Sequence, residues 1–137
     1  MGATHLDELD VTTLKIGGVS TTPSNSVAAD QIQTASGDGA VTIPGSQRAT
    51  VFITKGSAAA LTIADPASGT DDGKEILVIS ITAYAHTLSN AAGSGFFPTG
   101  GASKDVGTFG AAAGNLLRFV AYQGKWWVTQ NTGVTLG

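Results

Sequence analysis

The chain has 137 residues, a size suited to one domain, and only 12% of them are charged, about half the usual share for a soluble domain. Its formal net charge is −3 and its seven Lys and Arg are scattered singly, which excludes the basic stripe that phosphate binding needs. It has no Cys, which excludes disulfides and thiolate metal sites. The 19 Gly, with abundant Ala, Thr and Ser, suit tightly apposed strands and subunit surfaces better than an open solvated face. So weakly charged a surface protects a monomer poorly against association, and obligate assembly is the expectation.

In chain order, residues 1–37 read as an N-terminal arm. The opening MGATHLDELD is acidic and lacks the apolar stretch of a secretory signal. Leu6 and Leu9 share one face of a single helical turn too short to stand alone. Val11 to Ile16 is a strand-like run, followed by Gly17-Gly18 and a Thr/Ser/Asn-rich tract. Too few large apolar residues are present for a separate core, so Leu6, Leu9, Val11, Leu14 and Ile16 are candidate contacts with a partner or a neighbouring subunit.

Residues 38–137 read as the β-domain. Short strands separated by turn chemistry are expected over Val41–Ile43, Ala49–Thr54, Ala59–Ala64, Glu75–Ile81 and His86–Leu88. The run Ile76–Ile81 is apolar on both faces, which places it mid-sheet or against another subunit. Ala91–Gly101 reads as a Gly/Ser loop carrying Phe96-Phe97-Pro98, whose aromatic rings are candidate contacts with another subunit or a partner.

The C-terminal hairpin is the best-defined element. Leu116–Tyr122 and Lys125–Gln130 flank Gln123-Gly124, a two-residue turn with Gly at positive φ. This register sets Ala121 opposite Trp126 and Phe119 opposite Val128 on the core face. Val120 then faces Trp127 on the reverse, with Arg118 diagonal to the indole. Trp126 and Trp127 cannot enter one core, because neighbours on a strand point to opposite faces. Trp127, Tyr122 and Arg118 are therefore candidates for a subunit interface, or for an aromatic platform that binds a sugar. The expected fold is all-β, a single antiparallel β-sandwich or barrel (jelly-roll-like) with an extended arm, trimeric. No solenoid repeat or heptad pattern is present.

Chemistry is hard to find. His5 and His86 lie far apart without a second ligand at metal spacing, and Asp71-Asp72-Gly73 and Asp38-Gly39 read as turns. Gly93-Ser94-Gly95 leads into Phe96-Phe97-Pro98 and not a helix, so it is no nucleophile elbow. No catalytic residue, cofactor, metal, nucleic acid or membrane partner is expected.

Three segments resemble bacteriophage virion proteins. Leu14-Lys15-Ile16-Gly17-Gly18-Val19 resembles a stretch at the start of many phage head-decoration, head-fibre and tail-fibre proteins. Asp71-Asp72-Gly73-Lys74 and the apolar strand through Ile79 resemble an element of small phage β-domains. Asn115 to Val128, closing on Gly124-Lys125-Trp126-Trp127-Val128, resembles their terminal hairpin. The resemblance implies a homotrimeric β protein of the virion and does not separate two readings; the first is a capsid decoration or cement protein, synthesised in host cytoplasm and placed on the capsid exterior, whose candidate contacts meet the major capsid protein. The other reading is a fibre head that binds a host-surface carbohydrate or receptor. Size favours decoration, since one arm and one compact domain leave no room for a fibre shaft.

Overall fold

The computed structural model describes residues 30–137 and, N-terminal to them, the strands β1 (Leu14–Ile16) and β2 (Val19–Thr21). Leu6, Leu9 and Val11 lie outside the described residues, as do the side chains of Leu14 and Ile16. β1 and β2 pair antiparallel with each other.

Eleven further strands follow: β3 (Gln31–Ala35), β4 (Gly39–Ala40), β5 (Arg48–Ile53), β6 (Ala60–Thr62), β7 (Glu75–Ser80), β8 (Thr87–Ser89), β9 (Phe96–Phe97), β10 (Val106–Phe109), β11 (Leu116–Tyr122), β12 (Lys125–Thr132) and β13 (Val134–Leu136). The described residues contain no helix. They form a six-stranded sheet of order β3-β5-β7-β11-β12-β9 and a five-stranded sheet of order β13-β10-β8-β6-β4.

The sheets are mixed and not antiparallel as expected. From β3 to β10 the chain changes sheet at every step; up to β8 each strand lies parallel to the strand two before it, whereas β10 is antiparallel to β8. β3, β5 and β7 are parallel neighbours, and so are β4, β6 and β8. Parallel neighbours need a crossover connection, and here the crossover is a strand in the facing sheet. The β11–β12 hairpin restores antiparallel pairing beside β7.

Two assignments made from the sequence change. Gln31–Ala35, placed in the arm, is a complete edge strand of the larger sheet, so the domain begins before residue 38. Phe96-Phe97, placed in a loop, forms β9 and runs parallel to Trp126-Trp127.

Both sheets feed one hydrophobic core. Val51, Ile53, Ile76, Val78, Leu117, Phe119 and Trp126 come from the larger sheet; Leu61, Leu88, Phe109 and Val134 come from the smaller. Alternation decides who enters: β7 buries Ile76, Val78 and Ser80 while Glu75, Leu77 and Ile79 stay half-buried on the reverse. Close approach of the sheets requires a small residue at Gly107, where a Cβ would press on Val134, Leu117 and Leu136. Phe96, Phe119 and Trp126 pack as an aromatic cluster, with centroids 5.3 Å apart for Phe96–Phe119 and 5.0 Å for Phe119–Trp126. The indole N–H of Trp126 donates to the Ala64 carbonyl at 2.8 Å, so the largest core side chain has its one polar atom satisfied.

Candidate functional site

The outer faces of the two sheets differ in character. On the smaller sheet Thr62, Thr87, Ser89, Thr108 and Thr135 alternate with the core residues, giving a polar, small-residue surface. On the larger sheet the outer positions include Ile32, Phe52, Leu77, Ile79, Val120 and Trp127, with Arg48, Thr50, Glu75 and Arg118 among them. Ile32 is 62% exposed and Trp127 37%, and Phe52, Leu77, Ile79 and Val120 are half-buried. β7 supplies the middle of this face, as its doubly apolar sequence requires of a central strand.

The hairpin register matches the sequence reading on both faces: Ala121 faces Trp126 and Phe119 faces Val128 on the inner face, and Val120 faces Trp127 on the outer. Gln123 and Gly124 take φ of 48° and 76°, the two positive values of a type I′ turn. Asp72 anchors this turn from a distant loop, accepting from the Gln123 N–H at 2.8 Å.

The structure divides the sequence-derived candidates. Phe96 is fully buried beside Trp126 and Phe119, so it is a core residue and offers no contact to a partner. Phe97, its neighbour in β9, points the other way and meets Trp127 with centroids 5.1 Å apart. Lys125 places Nζ 5.0 Å from the centroid of Phe97. Tyr122, 54% exposed, sits opposite Lys125 at the hairpin end. Phe97, Trp127, Lys125 and Tyr122 thus crowd one corner of the outer face. The sequence reading missed Lys125 and the Phe97–Trp127 pair, because only the parallel β9–β12 register brings them together.

Arg118 does not serve the indole. A bulge between Arg118 and Phe119 shifts the register, and Arg118 aligns with Leu77 and Gln130. Its Nε lies 3.2 Å from Glu75 Oε1, near enough for attraction but without hydrogen-bond geometry. Together with Arg48, Thr50 and Leu77 this pair lines a hollow of about 80 Å³ in the middle of the face.

Asp71, Asp38, Asp65 and His86 are tied to neighbouring segments by hydrogen bonds. Asp71 accepts from the Ala67 N–H and pairs with Lys74 at 2.7 Å, and both contacts hold its carboxyl below the usual range. Asp38 is held low in the same way by Lys55 and the Ala60 N–H. Asp65 accepts from the N–H and hydroxyl of Ser94, so that serine braces a loop. His86 is buried; Nδ1 accepts from the Ala59 N–H at 3.0 Å, so Nε2 carries the proton and donates to Thr82 Oγ1 at 2.9 Å. Burial lowers its pKa, with Lys55 adding to the effect. Among the described residues no group of three or more His, Asp or Glu is placed to hold a metal ion.

Comparison with protein-family models finds no match, and comparison with curated proteins finds none either.

Proposed function

We propose that the chain is a non-catalytic structural protein of a bacteriophage particle, a capsid decoration protein that assembles as a homotrimer. The two sheets sharing one core are read as a sandwich whose larger sheet meets its partners with its outer face. The observation that carries this reading is the contrast between the two outer faces. A monomer would leave Ile32, Trp127 and the half-buried row from Phe52 to Val120 facing water, while the opposite face is Thr- and Ser-rich. Aromatic residues at the corner are what subunit interfaces select. The phage assignment rests on the resemblance of residues 14–19, 71–79 and 115–128 to phage virion proteins. A trimer adds weak single contacts into firm attachment, which suits a protein that cements an assembled shell. Light scattering of the purified chain is expected to give three times the mass of one chain, and co-sedimentation is expected with expanded phage capsids. A monomer at micromolar concentration would overturn the reading.

One observation favours a second reading. The Phe97–Trp127 pair, with Lys125 and Tyr122 beside it, has the composition of a surface on which a sugar ring stacks. Quenching of Trp127 fluorescence by host-surface glycans, lost in Trp127→Ala, would move the assignment to a fibre head.

A further inference from the structure

Two unfinished pieces of β-structure in this chain fit each other. The first is β3, the edge of the larger sheet. Its sequence, Gln31-Ile32-Gln33-Thr34-Ala35, contains no charge and no proline, and it pairs with β5 over its full length without a bulge. Exposed edge strands are normally blunted by Lys, Pro, a bulge or a covering loop, because their free N–H and C=O groups recruit other strands. Among the described residues no strand lies on the far side of β3, and Ile32 stands 62% exposed on it. The second piece is the β1–β2 pair. Each strand is three residues long, and among the described residues both pair only with each other. A two-stranded hairpin is marginal in water and needs a third strand.

We propose that the β1–β2 hairpin of one copy docks on the open β3 edge of a neighbouring copy, continuing the larger sheet across the subunit boundary. The proposal rests on the trimeric reading above. The length of chain between the two pieces favours the neighbour: residues 22–30 separate Thr21 from Gln31. A return onto its own β3 needs only about two to five residues, whereas nine reach up to ~30 Å. Each copy gives a hairpin and receives one, and the head-to-tail contact closes when the ring is complete. Main-chain hydrogen bonds then supply the attraction.

The chain has no Cys, so engineered thiols report the contact without background. Full-length chains carrying Val19→Cys or Ser20→Cys are refolded with full-length chains carrying Ile32→Cys or Thr34→Cys, then oxidised. A disulfide between a donor chain and an acceptor chain is the expected result. Placing both thiols in one chain and finding only internally closed monomer would overturn the proposal, since the hairpin would then lie on its own β3. Absence of any donor–acceptor disulfide would overturn it too. In parallel, Ser20→Pro breaks the donor ladder and Ile32→Lys charges the acceptor edge at an exposed position. Each is expected to weaken association at least ~10-fold while the thermal transition of the domain persists. A trimer that survives both substitutions would sink the hairpin exchange alone, and a wild-type monomer would sink the trimeric reading with it.

Discussion

The side-chain amide of Gln33 pairs with the backbone of Thr42 as a neighbouring strand would: Nε2 donates to the Thr42 carbonyl at 2.7 Å, and Oε1 accepts from the Thr42 N–H at 3.0 Å. Gln33 lies on the edge strand of the larger sheet, and Thr42 follows the edge strand of the smaller. One amide therefore ties the two sheets together where no backbone ladder can. Beside this tie lies a hollow of about 340 Å³ that reaches down to Val51 and Leu61. Gln33→Ala is expected to cost about 1 kcal/mol, because two partly exposed hydrogen bonds are lost. Faster amide exchange at Thr42, with the β7–β11 core unchanged, is the measurement that isolates it.

The two tryptophans should separate fold from assembly. Trp126 is fully buried and hydrogen-bonded, so Trp126→Ala is expected to cost roughly 3–5 kcal/mol and to depress soluble yield. Trp127 covers Phe97 at the surface, and Trp127→Ala should leave the protomer transition within about 1 kcal/mol of wild type while lowering oligomer mass. Thermal unfolding and light scattering on both variants decide the matter. An unfolded Trp127→Ala protein would show that both faces of the sheet are core.

His86 makes stability depend on pH in a defined direction. Its folded pKa lies below the ordinary 6.5, chiefly through burial. Below pH 6.5 the unfolded chain gains a proton that the folded chain refuses, so stability falls on acidification until the folded pKa is reached. The slope contributed by this one group is at most about 1.4 kcal/mol per pH unit. Unfolding of wild type and His86→Gln at pH 7.5, 6.5 and 5.5 is expected to show the acid loss in wild type and a flatter profile in the variant. Asp38 and Asp71, both held low, add their loss only below about pH 4, where the unfolded carboxylates take up protons and the folded ones resist.

The hairpin turn has room for improvement, whereas the β12–β13 turn has none. Gln123 occupies a positive φ of 48°, a position where Asn is better accommodated, so Gln123→Asn is expected to stabilise by about 0.5 kcal/mol. Gly133, at φ 68°, has the Asn115 side chain where a Cβ would go, while a Cβ at Gly124 would make only ordinary contacts with the Pro66 carbonyl and Ser68. Gly133→Ala should therefore destabilise more than Gly124→Ala, which carries only the left-handed strain of about 1–2 kcal/mol. Chemical denaturation of the three variants ranks them.

Sequence alone determined the elements whose information is local. Alternation over Glu75–Ser80 and Leu116–Tyr122, and a two-residue Gln-Gly turn, fix which side chains share a face; the hairpin pairs of Trp126 and Trp127 followed without any long-range contact. The absence of a helix in the described domain was legible for the same reason. Only the tertiary structure decided which sheet each strand joins. A short turn reverses the chain equally well into the next position of the same sheet or into the facing sheet, and Pro44-Gly45 or Asp65-Pro66 carries the same local signal in either case. The chain takes the second course seven times from β3 to β10, which makes the sheets mixed. The same ambiguity hid Phe96 in the core and joined Phe97 to Trp127, since β9 is two residues long and its direction is set by a partner some thirty positions away.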